Sequence, residues 1–471
     1  MSEVNVVVGS GAAGLTAALT AREEGATVLI AESESVVGGA TRLSGGVIMA
    51  ADTVVHRKAG IKDSANDLLF DYMLANQFGV NPGLVRRMAE DGAGIIDWLL
   101  ELGVEITNLM GGIDERSPRS HGPVGGGQHF VDVLARQCRE RDIEIALGRR
   151  VDRLIVEDGA VKGVAVGNDD LPAEAVVLAT GGFGANPALI EKYLPTLAEK
   201  GDWRVFIGPE SSRGDGLALA EQVGANTVGF DRCAPLLVPY LGGARDFDSF
   251  LPAWMLLLGR DGRRICLETI PYGHLHGLVN AAGGRGFGFF DSKTLADNGT
   301  PALPTFKVEF PPGKPKPARL WNRDGIERLV DARAVRRADT VEELALMLEL
   351  PVAAVAGSVQ RYNRSAAAGR DADFDKDPRF LRPIKEPPFY GVEVRPAAFG
   401  HTDYGIEIDT TGAVLDHCST EIPGLYAAGE CAGGVLGPRY VGSGNSLASC
   451  VVFGRAAGRS AAKFARDTSS I

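Results

Sequence analysis

The opening βαβ signature constrains this chain more than any other feature. Val4-Asn-Val-Val-Val8 is an apolar run of strand length. Gly9-Ser-Gly11-Ala12-Ala13-Gly14 follows, then Leu15 to Glu24 at helical spacing, then Thr27-Val-Leu-Ile30 and an acid, Glu32. A strand, G-x-G-x-x-G, a helix, a strand and an acid predict a dinucleotide-binding unit. Gly9 permits the tight turn, Gly11 lets the backbone approach a pyrophosphate, and Gly14 lets helix and strand pack closely. The pyrophosphate belongs at the helix start, Ala12 and Ala13, where free N–H groups and the dipole favour an anion. Glu32, followed by Ser33, can accept from a ribose hydroxyl and disfavours a 2′-phosphate. That points to FAD or NAD rather than NADP.

Glycine is the compositional outlier, 61 of 471 residues, about twice the usual share. Its clusters favour a flavin. Gly38-Gly39-Ala40-Thr41-Arg-Leu-Ser44-Gly45-Gly46 gives a second backbone loop, which an isoalloxazine and ribitol need and a nicotinamide does not. Ala175-Val-Val-Leu-Ala-Thr180 is a buried strand running into Gly181-Gly182. A net charge of −11 argues against a nucleic-acid partner. No apolar run approaches a membrane span, and the N-terminus carries no secretory pattern. The six cysteines are scattered, with no C-x-x-C, so reduced thiols in a cytoplasmic protein and no metal are expected.

Helices are predicted over 67–77, 85–102, 130–141 and 340–368, the last with Thr340 and Glu343 as a capping box. Val151–Val156 with Val161–Val166 reads as a hairpin, Arg119–Gly127 as a polar loop, and Pro311–Pro317 as a surface loop. From about 205 to 385 prolines and aromatics interleave; strand-and-glycine character then returns and runs to a last helix over 447–466. The predicted fold is α/β with an α+β cap. A Rossmann-like domain is formed by 1–204 and 386–471, and 205–385 is inserted as a capping, substrate-side domain.

Gly9-x-Gly-x-x-Gly14, Glu32, Gly38-Gly39, Ala179-Thr-Gly-Gly182 and Ile422-Pro-Gly-Leu-Tyr-Ala-Ala-Gly429-Glu430 together resemble the flavoprotein superfamily of fumarate reductase and 3-ketosteroid dehydrogenase. The resemblance spans nearly the whole chain. It implies a discontinuous FAD domain, a capping domain, and a substrate held between them. It also implies cofactor contacts at Val151, Glu430, Asn445, Ser446 and Leu447. Covalent members attach the flavin through a His in the loop that is Ala40–Ser44 here; no His is present, so noncovalent FAD is expected.

Fumarate reductases carry a proton-donating Arg four residues after the Glu of a G-[KR]-R-F-x-N-E stretch. Here Gly262-Arg-Arg-Ile-Cys-Leu-Glu268 leads instead to Tyr272, similar to the N-E-x-x-P-Y of ketosteroid dehydrogenases. Arg439-Tyr440-Val-Gly-Ser-Gly444 resembles their Y-x-G-x-G. By that resemblance Tyr440 and the Gly444 N–H hold a ketone oxygen, and Tyr272 takes the α-proton while flavin N5 accepts hydride. A free Tyr is too weak a base at neutral pH, so its pKa must be lowered by a neighbour: His121, His274, His276 or another Tyr.

His401, in His401-Thr402, and Arg119 and His121 in the polar loop are candidate substrate contacts. Arg439 has no partner on a steroid. It suggests a smaller cyclic ketone bearing an acid, such as an oxocyclohexanecarboxylate, or else an ion pair with Asp403, Glu430 or another acid. Trp254, Phe287, Phe289 and Phe290 are candidate walls of an apolar pocket. The reading is thus FAD-dependent desaturation of a cyclic ketone or ketoacid, with an unidentified electron acceptor. Two alternatives stay open: reduction of an unsaturated acid, and a non-catalytic flavoprotein subunit.

Overall fold

The computed structural model describes residues 4–112, 114–244, 248, 251–296, 305–309 and 320–469; the proline-rich stretch 311–317 lies outside them. Five parallel strands run in the order Glu421–Ala427, Ala175–Leu178, Val4–Val8, Thr27–Glu32, Glu144–Leu147, and Ala413–Leu415 adds an antiparallel edge. Val6 and Val7 are at most 1% exposed, as expected for an apolar run covered on both faces of a parallel sheet. The chain leaves three adjacent strands at Gly9, Ala179 and Ala428. All three exits lie at the carboxyl edge, where open α/β sheets bind ligands.

The two chain ends join through helices. Ala12–Glu23 packs against Asn445–Ser469. A Cβ at Gly454 would lie 2.7 Å from the Ala13 carbonyl oxygen, and one at Gly458 2.2 Å from that of Ala17. Two glycines one turn apart therefore let the helix axes come close. The last helix begins at Asn445, two residues before the predicted start.

The inserted segment builds its own mixed sheet on Phe389–Phe399. That strand pairs with Val205–Phe206, Leu236–Val238, Gly286–Asp291 and Val335–Ala338, while Leu256–Leu258 adds to Gly286–Asp291. Residues 389–399, read from sequence as the returning FAD segment, are thus hydrogen-bonded into the cap sheet. Strand alternation sends Phe287 and Phe289 into one apolar cluster and Phe290, with Trp254, into another. These four aromatics are cap core rather than pocket wall.

Two element predictions are corrected. The helix predicted over 340–368 is two, Val341–Met347 and Val352–Ala368, because Pro351 lacks the N–H needed to continue the first. Thr340 does accept from the Glu343 N–H. Within the predicted loop 119–127, Ser120–Pro123 is a strand paired to Ile106–Gly112 and Ile48–Met49, so its polar residues face protein. Among the described residues no helix is long and apolar enough to cross a membrane.

Candidate active site

At the carboxyl edge of the parallel sheet, main chain forms a cavity of about 400 Å³. Gly9 has φ +106°, and a Cβ there would sit 2.3 Å from the Ala179 carbonyl oxygen; one at Gly14 would sit 1.9 Å from that of Gly9. Both are close-packing glycines. Gly11 and Gly181 have no neighbour nearer than 3.8 Å, so their backbones stand open to a ligand. Of the expected cofactor contacts, Gly9, Gly11, Ala12, Ala13, Glu32, Ser33, Gly39, Ala40, Thr41, Ser44, Gly45, Gly46, Val151, Thr180, Gly181, Gly429, Glu430, Ser446 and Leu447 line this cavity. Gly14, Gly38, Gly182 and Asn445 stand behind it. Gly38 donates to Ser10 Oγ, a Cβ at Gly182 would strike Glu430 Oε1 at 2.1 Å, and Asn445 Nδ2 donates to the Gly442 carbonyl.

Glu32 lines the cavity beside the glycine turn. Its Oε2 accepts from the Ser10 N–H and hydroxyl, and its Oε1 from the Glu34 N–H. Ser10, Arg149 and Arg150 also line the cavity and were missed from sequence. Ser10 occupies a variable position of the glycine motif, and the arginines directly precede Val151. At the opposite end Glu430 accepts from the Thr402 N–H and hydroxyl, and burial pushes its carboxyl up to about 7. His401 lines the same wall, held neutral by burial at about 4, with Nε2 buried and without a partner among the described residues. An elongated glycine-walled cavity with a carboxylate at one end and an orphaned imidazole nitrogen at the other fits a flavin dinucleotide.

Tyr272 and Tyr440 meet at that far end, ring centroids 5.9 Å apart, with His401 5.1 Å from Tyr440. Tyr272 opens the helix Tyr272–Ala281 after Pro271. Gly273 follows because a Cβ there would lie 1.7 Å from the Tyr440 carbonyl oxygen. The Tyr440 hydroxyl oxygen accepts from the Ser446 N–H at 2.9 Å, in the first turn of the last helix. Burial holds that phenol protonated, at about 12. Gly444, φ +96°, immediately precedes the helix and lines the cavity.

The expected lowering of the Tyr272 pKa is absent. Burial, then Tyr440, push it well above 10, and the Ser443 side chain alone pulls down. None of His121, His274 or His276 bears on it. His276 is itself lowered to about 4 by burial, and its backbone contacts with Pro438 and Tyr272 do not offset that.

Four residues before Tyr272, Glu268 belongs to a buried charge cluster. Arg264 makes two 2.8 Å bonds to Glu268 and one of 2.6 Å to Asp371; Lys376 Nζ reaches Glu268 at 3.0 Å and the Met255 carbonyl at 2.9 Å. Lys376 and Glu268 are 1% and 2% exposed. Burial opposes the Glu268 charge, yet Lys376 and Arg264 overcome it and lower the pKa.

A second cavity, about 500 Å³, lies beyond Tyr272. Pro271, His274, Glu115, Arg119, Arg439 and Gly442 line it. Arg119 is neutralised by Asp63 and Asp71. Arg439 Nη1 reaches the Ala75 carbonyl at 3.4 Å, and among the described residues no carboxylate pairs with Arg439. The alternative of an ion pair to Asp403 or Glu430 is not realised: Asp403 accepts instead from the Leu436 and Gly437 N–H groups. His121 is a correction. It is fully buried and lines neither cavity, because its Nε2 meets the Thr53 hydroxyl and its Nδ1 the Arg119 carbonyl.

Fold and site together define an FAD-dependent oxidoreductase. The chain belongs to the FAD binding domain family, whose profile matches residues 5–447, within the superfamily of fumarate reductase and ketosteroid dehydrogenase. It is 32% identical to a probable fumarate reductase of Shewanella frigidimarina, over 98% of this chain and 75% of that one. It is 27% identical to a 4-oxocyclohexanecarboxylate 2-dehydrogenase of Sinomonas cyclohexanicum, over 97% and 92%. The solved structure of 3-ketosteroid-Δ4-(5α)-dehydrogenase from Rhodococcus jostii superposes with TM-score 0.81 at 27% identity, covering 98% of this chain and 96% of that one.

Proposed function

We propose that this protein desaturates a small cyclic ketone, preferentially one carrying a carboxylate, next to its carbonyl. The observation that carries this is the anchoring of Tyr440. Its oxygen already accepts the Ser446 N–H, so its own proton is left to donate to a substrate oxygen. Noncovalent FAD, held by the glycine cradle, supplies a two-electron acceptor when bound. Tyr440 and the Gly444 N–H stabilise charge growing on the ketone oxygen, and the start of the last helix adds its dipole. Tyr272 takes the α-proton, and since burial keeps its phenol protonated it must first give a proton up. Activity should therefore rise toward alkaline pH. The unpaired Arg439 is the natural anchor for a substrate carboxylate. The similarity to an oxocyclohexanecarboxylate dehydrogenase supports that class.

A second reading, reduction of an unsaturated acid, is favoured by one specific observation: a protonated Tyr272 is ready to donate. The fumarate reductase relative points the same way. A cytoplasmic electron acceptor would serve the first reading and an electron donor the second. Incubation of the holoenzyme with 4-oxocyclohexanecarboxylate and an artificial acceptor, followed by mass analysis, tests the proposal. The product should weigh two hydrogens less than the substrate; unchanged ketone, with fumarate or a related enoic acid reduced instead, would select the second reading.

A further inference from the structure

Tyr272 stands on the partition between the two cavities. Its ring lines the first, while Ile270, Pro271 and His274 line the second. Ser443 behaves likewise: it lines the first cavity and bonds Tyr272, and its main chain exchanges hydrogen bonds with the Ser120 hydroxyl of the second (2.8 and 3.2 Å). A base at Tyr272 needs an exit for each proton it collects, and FAD with the ketone ring would shut out water on the first-cavity side, only the substrate carboxylate reaching Arg439 in the second. The second cavity is the exit on the other side, and it holds one half-buried carboxylate with no ion-pair partner among the described residues, Glu115.

Glu115 presses against the chain turn that carries Ser443. A Cβ at Gly442 would lie 3.5 and 3.6 Å from its two carboxylate oxygens. We infer that Glu115 exchanges protons with Tyr272 and passes them to solvent through the second cavity. This rests on the ketone reading above. In each turnover the α-proton moves to Tyr272, then to Glu115, then to water, while the β-hydrogen leaves with its electron pair to FAD. The charged groups facing Glu115 are Asp71, Asp114, Arg116, Arg119, His274 and Arg439. Three of them are already spent on one another, because Asp71 pairs with both Arg119 and Arg116. Burial is the largest influence on the Glu115 carboxyl and raises its pKa, with the Gly112 N–H and Arg119 opposing. A carboxyl moved toward neutrality suits proton exchange better than an ordinary one.

The test is rapid-mixing reduction of the holoenzyme by 4-oxocyclohexanecarboxylate across pH. Wild type should show a rate that rises as Glu115 ionises. Glu115→Gln should lose that limb and slow roughly a hundred-fold, the lower end of general acid–base effects. FAD content should be unchanged, and Glu115→Asp should restore the limb with a shifted midpoint. Infrared difference spectra of wild-type holoenzyme should show a carboxylic-acid band titrating with the same midpoint, absent from Glu115→Gln. A Glu115→Gln enzyme with the wild-type rate and pH profile would overturn the inference, as would a wild-type rate limb with no matching carboxyl band. Wild type unreduced by any ketone would instead overturn the ketone reading on which it rests.

Discussion

The cofactor cradle and the substrate chamber share a wall but are built on opposite plans. The cradle is main chain. Its glycines are fixed by distances no side chain can meet, such as 1.9 Å at Gly14 and 2.3 Å at Gly9. The chamber is side chain. Tyr272, Tyr440, His401, Arg439 and Glu115 come from distant segments, and Tyr440 is held by a helix start. A backbone site tolerates no substitution at its tightest points but needs little chemistry. A side-chain site tolerates conservative change structurally and fails chemically.

The contrast can be broken in graded steps. Gly9→Ala should have the largest effect: a positive φ and the Ala179 carbonyl both reject a methyl. A loss above ~4 kcal/mol, with colourless protein, is expected; flavin absorbance and chemical denaturation would read it. Tyr272→Phe should do the reverse, keeping the yellow colour and lowering flavin reduction by ketone ~10²–10⁴-fold in rapid mixing. A Phe enzyme that lost FAD would show that chamber and cradle are not separable.

Lys376→Met tests the buried charge cluster of the cap. It strips Glu268 of one of two buried partners, and about 3 kcal/mol of stability should go, read as a lower denaturation midpoint. Tyr440→Phe should cost roughly 2.7–4 kcal/mol of barrier, the range for one oxyanion donor. Comparing kcat/KM for ketones with and without a carboxylate would show whether the loss is common to both, as a contact to the carbonyl requires.

The smallest effect concerns pH. The Glu430 carboxyl is raised to about 7 in the fold by burial, above its unfolded value. Its contribution to stability is full below that unfolded value and is lost as pH rises to about 7. Apoprotein should therefore weaken relative to Glu430→Gln between about pH 4.5 and 7, by about 1–3 kcal/mol. A constant difference across that window would place the Glu430 pKa in the ordinary range.

Legibility in the sequence follows the same division. Gly9, Gly11, Gly14 and Glu32 are contiguous because one turn and one helix start build the site, so local reading suffices. Ser10, Arg149 and Arg150 were missed because nothing in their own stretches distinguishes a cavity wall from solvent. Tyr272 and Tyr440 were legible only through their flanking motifs, which foreshadow a meeting across 168 residues but not its environment. Burial rather than a histidine decides the Tyr272 pKa. His121 has the composition of a site residue but lies on a strand whose partners absorb both ring nitrogens. Pro351, which splits the predicted long helix, stands in the sequence as a helix breaker whatever the periodicity around it.

The central claim is that the chamber acts on a ketone. Anaerobic absorbance of the holoenzyme tests it most directly, with cyclohexanone, 4-oxocyclohexanecarboxylate and a 3-ketosteroid added separately. Bleaching of the oxidised flavin band by 4-oxocyclohexanecarboxylate, faster than by cyclohexanone, is the predicted result. No bleaching by any ketone, with dithionite-reduced enzyme reoxidised by fumarate or a related enoic acid, would contradict it.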